Sequence, residues 1–315
     1  MTVDVVIPVY KPGKKFIELM KGLAVQTVKP GKVIAVNTEE RFWKETLLSE
    51  MGEQAASLLE LHHIAKADFD HGKTRNLGAS YSSAEVIVLM TDDAVPADEH
   101  LIENLLAPFV DPEVAAVYAR QLPTEDAGIA ERFSRAFNYP DISRKKTLSD
   151  LNRLGVKTFF CSNVCAAYLR KHFDELGGFV NSAIFNEDMV YAAKLMDHGF
   201  AVYYAAEARV IHSHAYSNRQ QFLRNFDNAV SQAQHPEVFG RVRSESEGIR
   251  FIKTAFGYFA KNGRPFAIFP FLINSVYRYA GFRLGKKYQT LSRDKILRST
   301  MNPGYFERMW REEEQ

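Results

Sequence analysis

The apolar run Glu85–Met90 leads into Thr91-Asp92-Asp93. A buried strand that ends in paired carboxylates delivers them to the crevice at the sheet's carboxyl edge, where open α/β sheets bind ligands. Hard oxygen donors there suit Mg²⁺ or Mn²⁺, ions that also grip diphosphate oxygens. A second acidic pair, Glu187-Asp188, stands at the mouth of an amphipathic helical stretch. The positive end of that helix dipole favours the ionised form that a base needs. Arg75, within Gly72-Lys-Thr-Arg-Asn76, enters another helical stretch, and a guanidinium at a helix N-terminus is a good seat for an anion. His212 and His214 alternate at a strand end and so face one side, where neutral imidazole completes a metal shell. One acidic pair for a metal and one for a base is the minimum equipment for metal-assisted group transfer. Each group also has a plainer use: helix capping for both acidic pairs, an ion pair for Arg75, core packing for the histidines.

Positioning these groups requires a sheet. Val3–Val9 reads as a buried strand, β-branched and closed by a turn at Lys11-Pro-Gly13. Phe16, Leu19, Met20 and Leu23 follow at helical spacing, and residues 32–36 form a second strand. Residues 43–60 are helical in composition, Leu59–Ile64 is a short strand, Thr74–Ser82 a helix and Glu85–Met90 the next strand. Residues 98–109 predict a helix and Val114–Tyr118 a strand. Residues 120–157 predict a helix and a mobile loop over the site. Thr158–Tyr168 returns to the core, Leu176-Gly-Gly-Phe179 is a turn, and Asp188–His198 is a helix ended by Gly199. Ala201–Tyr204 and Ala208–His212 read as two late strands. This alternation predicts an α/β fold, a mixed and mostly parallel sheet with helices on both faces.

A chain of 315 residues that is 46% hydrophobic and 25% charged is ordinary for a globular protein. No basic, then apolar, then small-residue leader precedes the first strand, which argues for the cytoplasm over secretion. Cys161 and Cys165 are too few for a disulfide framework and lack further ligands nearby for a metal. The net charge of +2 hides an asymmetry, because residues 241–287 carry ten Lys/Arg against two Glu. This basic, aromatic section fits an anionic membrane surface better than nucleic acid. Its uncharged run, residues 265–277, is 13 residues long, short of the roughly 20 that span a bilayer. Phe269, Leu272, Val276 and Tyr279 recur at helical spacing. That predicts either an interfacial helix or one packed on its own domain. The division expected is a domain over 1–240 and a basic, aromatic helical tail over 241–315. Homo-oligomerisation is left open.

The order of the motifs is more specific than any one of them. Val-Ile-Pro-Val-Tyr10 opens the first strand, and His71-Gly-Lys-Thr-Arg-Asn-Leu-Gly78 enters a helix. Thr91-Asp-Asp93 ends a strand; Ser162-Asn163 and Gly177-Gly-Phe179 precede Asn186-Glu-Asp188; His212-Ser-His214 follows. Together they resemble the family 2 inverting glycosyltransferases of the GT-A fold, nearest to the bacterial rhamnosyltransferases that use dTDP-L-rhamnose. The resemblance covers residues 1–225, with a further likeness over 296–310.

The resemblance implies a role for each residue. Asp93 would hold Mg²⁺ or Mn²⁺ with His212, and Asp92 would reach the ribose or the metal's surroundings. Thr91 stands where the family often has another aspartate. Pro8 and Tyr10 would frame the base. Asn37 replaces an aspartate that reads the pyrimidine edge in many relatives, with Glu39 as a substitute. Arg75 and Lys73 would face the nucleotide and its diphosphate. Asp188 would be the general base, Glu187 would orient the acceptor, and Asn163 and His214 would lie nearer the acceptor. The implied reaction moves L-rhamnose to a hydroxyl of a growing, lipid-linked cell-surface glycan, at the inner face of the cell membrane. Another donor, a UDP- or GDP-sugar, and a non-catalytic sugar-nucleotide-binding protein are the alternatives. A pyrophosphorylase would need a Gly-rich loop where Lys11-Pro-Gly13 offers one Gly, and a dinucleotide oxidoreductase would need Gly-x-Gly-x-x-Gly.

Overall fold

The computed structural model describes residues 1–242 and 245–314. Its strands among these are β1 (Val3–Val9), β2 (Val33–Thr38), β3 (Leu59–Ile64), β4 (Val86–Met90), β5 (Val95–Pro96), β6 (Val114–Leu122), β7 (Arg144–Lys146), β8 (Cys165–Leu169) and β9 (Ala201–Ile211). They form one sheet in the order β3-β2-β1-β4-β8-β6-β9-β5, with β7 also on β9. The pairs β1/β2, β2/β3, β1/β4 and β6/β9 are parallel. β8 runs against both β4 and β6, and β5 and β7 run against β9. The sheet is therefore mixed and mostly parallel. Strand alternation sorts the core into two faces. Val5, Ile7 and Val9 join one cluster, and Val6, Ile34 and Val36 the other.

Seven helices matter to the site: α1 (Lys14–Ala24), α2 (His71–Ser80), α3 (Ile129–Asn138), α4 (Glu187–Asp197), α5 (Asn218–Gln234), α6 (Glu245–Lys261) and α7 (Ile268–Gly285). α1 buries Phe16, Leu19, Met20 and Leu23 under one face of the sheet, and α4 buries Tyr191, Leu195 and Met196 under the other. α2 begins earlier than its spacing predicts, because the Asp70 carboxylate accepts from the N–H groups of Gly72 (2.9 Å) and Lys73 (3.0 Å). It can lie close on the sheet because Gly78 has no Cβ; one there would sit 2.3 Å from Val6 Cγ1.

Several expected elements are corrected. The helical stretch 43–60 breaks at Gly52, at φ +83°, into Thr46–Met51 and Glu53–Ala56. The helix over 98–109 is α-helical only over Leu101–Leu106, then tightens into a 3₁₀ turn that carries Pro108. The stretch 120–157 holds the end of β6, α3 and the unexpected strand β7. The two late strands are one, β9, whose pairing with β6 skips from Ala205 to Arg209. α5 also escapes the periodicity, although Ser217 and Gln220 form a capping box at its start.

The C-terminal helices pack on the body through two further cores. Phe133 of α3 meets Phe259 and Phe271, while Phe226 of α5 meets Tyr288, Ile296 and Phe306. α7 crosses α5 at backbone contact, and a Cβ on Gly281 would lie 2.1 Å from Phe222 O. The buried Asp227 accepts from Thr300 Oγ1 (2.6 Å) and Met301 N–H (2.9 Å), which fastens the chain's end. Among the described residues no helix is long and apolar enough to cross a membrane.

Candidate active site

A cavity of about 860 Å³ opens at the carboxyl ends of β4 and β6 and is walled on its far side by α5 and α7. Asp92, Asp93, Asn163, Glu187, Asp188, His212, His214 and Arg75 all line it. Residues from five separate stretches of sequence thus converge, as the motif order implies.

Asp93 follows β4, and His212 and His214 follow β9. Asp93 Oδ1 lies 3.4 Å from His212 Nε2, and Oδ2 lies 3.3 Å from His214 Nε2. The two imidazole nitrogens are 2.9 Å apart. The three ligand atoms fall within 4.8 Å of one another. His214 therefore stands with Asp93 and His212. Burial lowers His212 below the ordinary histidine value, and burial followed by the neighbouring His212 charge brings His214 down to about 4. Both rings are neutral at physiological pH and present lone pairs. A carboxylate with two neutral imidazoles fits a divalent cation, and its two nitrogen donors suit a transition metal such as Mn²⁺ better than the oxygen-seeking Mg²⁺.

The orientation of His212 has an evident cause. Its Nδ1 lies 3.0 Å from Gln121 Oε1, a closer contact than the 3.4 Å to Arg135. Arg135 also donates to that oxygen, and Gln121 Nε2 donates to Tyr139 Oη (2.5 Å) and Ser162 Oγ (3.0 Å), so the amide's orientation is fixed. With the proton on Nδ1, the Nε2 lone pair faces Asp93 and His214.

Asp92 accepts from Tyr10 N–H at 3.1 Å, and burial pushes its carboxyl up to about 6 against that hydrogen bond. β1 and β4 are adjacent parallel strands, so their ends are neighbours and this contact follows from topology.

The second acidic pair is built from a strained turn. Asn186 takes a left-handed conformation, φ +60°, which asparagine tolerates better than most residues. Its amide donates to Asn228 Oδ1 at 2.8 Å. α4 then starts with both carboxylates turned inward. Glu187 is buried, 3.3 Å from Arg75 Nη1, and accepts from Asn163 Nδ2 at 3.1 Å. Burial pushes Glu187 up, but Arg75's charge, with His71 and the Asn163 bond, outweighs it and leaves it below the usual range. Asp188 is half-buried at the cavity wall. It accepts from the N–H groups of Asn163 (3.0 Å) and Met189 (2.8 Å). Burial first, then Glu187's charge, raise Asp188. Two adjacent carboxylates with opposed shifts is the signature of divided acid–base roles.

The other expected residues divide between the cavity and its surroundings. Arg75 reaches the cavity, but its charge is already met by Glu187. Lys73 is exposed and outside the cavity lining. Pro8 sits within β1 beside Val36. Tyr10 stands beside the cavity, edge-on to Phe42 at 5.4 Å, with the Lys11 ammonium near both rings. Asn37 is fully buried, and its Nδ2 donates to His63 Nδ1 (2.9 Å) and Glu39 O (3.2 Å), leaving Oδ1 unpartnered. Glu39, paired with Arg41 at 2.5 Å, lines a separate open hollow with Arg41 and His63. Asn163 lines the cavity from a buried position, its N–H donating to Asp188 and its side-chain amide to Glu187. Gln121, Arg135, Arg224 and Arg278 line the cavity without having been singled out from the sequence.

A family model described as Glycosyl transferase family 2 matches residues 4–177. The O-antigen chain rhamnosyltransferase RfbN of Salmonella typhimurium is 38% identical over 295 residues, 92% of this chain and 91% of that protein. The O-antigen chain rhamnosyltransferase WbaN of Salmonella anatum is 35% identical over 291 residues, 91% of this chain and 90% of that protein. Among solved structures, the mannosyltransferase PcManGT of Pyrobaculum calidifontis, in complex with GDP-Man and Mn²⁺, superposes with a TM-score of 0.60 at 15% identity. The match covers 92% of this chain and 88% of that one. TarS 1–349 of S. aureus gives 0.52 at 16%, covering 92% and 91%. The fold is GT-A, and the chain belongs to glycosyl transferase family 2 and is a glycosyltransferase.

Proposed function

We propose that this family 2 enzyme transfers L-rhamnose, with inversion, from dTDP-L-rhamnose to a hydroxyl of a growing O-antigen-type glycan. The observation that carries the reading is the convergence of Asp93, His212 and His214 with Asp188 on one cavity. The similarity to two rhamnosyltransferases over nine-tenths of the chain supports the choice of sugar.

Asp93, His212 and His214 would hold Mg²⁺ or Mn²⁺, which when bound neutralises the charge of a departing nucleoside diphosphate. Asp188 takes the proton of the acceptor hydroxyl as its oxygen attacks the anomeric carbon. The C–O bond to the diphosphate breaks on the opposite face, so the configuration inverts. The N–H groups of Asn163 and Met189 fix the Asp188 carboxylate and leave its remaining lone pairs for the proton. Glu187, held by Arg75 and Asn163, stays ionised beside it and raises its basicity.

The same reading places the enzyme peripherally on an anionic membrane, where a lipid-linked acceptor resides. Phe266, Phe269, Ile273 and Val276 are 80%, 61%, 54% and 65% exposed, along α7 and the turn before it, in the section with the basic excess. Contiguous exposed apolar groups with basic neighbours favour an anionic lipid surface.

The test is incubation of the full chain with dTDP-L-rhamnose, UDP-glucose and GDP-mannose, each with Mg²⁺, Mn²⁺ or chelator, reading released nucleoside diphosphate. Metal-dependent release of dTDP alone is expected. Preferential release of UDP or GDP would move the donor to another sugar nucleotide, and no release with any donor would favour a binding protein.

A further inference from the structure

The transfer chemistry leaves one end of the cavity unused. Its wall comes from Arg224 on α5 and from Phe271, Asn274 and Arg278 on α7. These α7 positions recur at helical spacing, so one face of the helix lines the cavity while Phe269, Ile273 and Val276 point outward. The amide of Asn274 donates to Asn218 Oδ1 at 2.9 Å, which ties this face to α5.

The two arginines differ from the other cations of the cavity. Arg75 pairs with Glu187, and Arg135 donates to Gln121 with Glu131 at 4.0 Å. Arg224 and Arg278 are half-buried, and among the described residues neither makes a hydrogen bond or an ion pair. Arg224 lies over the Phe185 ring (4.7 Å) and the Tyr216 ring (5.5 Å), and Arg278 lies over Phe251 (5.1 Å). The aromatic rings hold the guanidinium groups, and among the described residues no acceptor meets their N–H edges. Two like charges half-buried in one cavity wall without a direct ion pair among the described residues are unfavourable, and guanidinium edges match phosphate oxygens in geometry.

We infer that Arg224 and Arg278 form an anion subsite for the phosphate or diphosphate that joins the acceptor glycan to a lipid. This rests on the cavity being the site of glycosyl transfer. α7 presents both halves of such a molecule's complement, guanidinium inward and an apolar face outward. A phosphate held at Arg278 could continue into an apolar chain lying along Phe269, Ile273 and Val276. The donor's own diphosphate would find its counter-charge in the divalent cation that Asp93, His212 and His214 would hold. The C-terminal helices are then part of the acceptor site as well as a membrane contact.

Calorimetry on the full chain, with farnesyl diphosphate, farnesol and inorganic pyrophosphate as probes in EDTA, tests this. Farnesyl diphosphate should bind without metal and more tightly than either other probe. Arg224→Gln and Arg278→Gln should each weaken it about tenfold, as expected for loss of a charged hydrogen bond, and Arg278→Lys should restore part of the loss. dTDP with Mn²⁺, titrated in parallel, reports both folding and the donor site, and its affinity should stay within about twofold of wild type, below one charged hydrogen bond. Equal binding of farnesyl diphosphate by wild type and both Gln variants overturns the inference. So does a parallel loss of dTDP binding, which would assign the arginines to the donor, or pyrophosphate binding as tightly as farnesyl diphosphate, which would make this a free-phosphate site. A failure of donor turnover leaves these binding outcomes readable, because it concerns the metal ligands and Asp188.

Discussion

Gln121 Oε1 stands 3.0 Å from Nδ1 of His212 and accepts a hydrogen bond from it, which keeps the proton on Nδ1 and leaves the opposite nitrogen free to bind a cation. Removing that acceptor while keeping the volume, as in Gln121→Met, frees the ring to rotate and to change tautomer. Loss of such an orienting partner typically costs about 10–100-fold in metal affinity. A titration of Mn²⁺ followed by electron paramagnetic resonance should show a loss of that order. An unchanged Mn²⁺ affinity would mean that Gln121 does not set the ring.

Asp93 supplies the only carboxylate of the His-His-Asp group among the described residues. Asp93→Asn removes the charge that a divalent ion needs in that set. Calorimetric titration of dTDP with and without Mn²⁺ should show the metal-dependent gain in affinity abolished, with metal-free binding retained. If the full gain survives in the variant, Asp93 is not a ligand.

The acidic groups were legible in the sequence because each sits at the end of an element that the sequence announces. A β-branched run ending in Asp92-Asp93, and a Glu-Asp pair opening an amphipathic helix, carry their geometry locally. Gln121 carries nothing local: its partner His212 is 91 positions away, and only the β6–β9 pairing brings them together. Arg224 and Arg278 were illegible for a similar reason, since they meet through a helix crossing that depends on Gly281 and Gly285. Asn37 shows the opposite failure. Its place at the carboxyl end of β2 was readable, but the side chain turns inward to His63, and strand position does not reveal that.

Asp188 must be ionised to accept a proton, and burial with Glu187's charge pushes its carboxyl up to about 7. A group raised in this way is protonated, and inactive as a base, below that value. kcat/KM should therefore climb with pH through about 7 and level off above it. Glu187→Gln removes a neighbouring negative charge and leaves Arg75 unmatched. Both changes favour the ionised Asp188, so the acid limb should move to lower pH. Asp188→Asn should keep dTDP and Mn²⁺ binding while transfer falls about 10²–10⁴-fold, the usual worth of a general base. An acid limb that stays in place in Glu187→Gln, or near wild-type turnover in Asp188→Asn, would move the base elsewhere.

Gly281 lets α7 touch the backbone of α5, where a Cβ would meet Phe222 O at 2.1 Å. Gly281→Val must push the helices apart, and overpacking of this kind costs about 1–3 kcal/mol. Thermal unfolding should begin earlier, and farnesyl diphosphate binding should weaken more than dTDP binding, because Arg278 moves with α7 and Asp93 does not. Unaltered unfolding and binding would show that the helix contact is slack.

The outward face of α7 can be tested without dismantling the tail. Cutting after Gly240 would strip Phe259 and Phe271 from Phe133, and Tyr288, Ile296 and Phe306 from Phe226, and so expose two cores. Phe269 and Val276 are 61% and 65% exposed, so Phe269→Glu and Val276→Glu spare the buried cores, at the loss of the surface stacking of Phe269 on Phe266, and leave the fold's stability near wild type. On an anionic surface these substitutions act twice. They remove apolar groups that would enter the interface, and they add negative charge where each basic side chain contributes about 1 kcal/mol of attraction. The full chain should co-sediment with vesicles rich in anionic lipid and be released by salt, as screening shortens the reach of its basic excess. The double variant should stay in the supernatant at the same ionic strength. It should still show metal-dependent dTDP binding, because Asp93, His212 and His214 stand on the sheet. Equal sedimentation of the two chains, or none by the wild type at low salt, would leave this face as a contact for another protein surface.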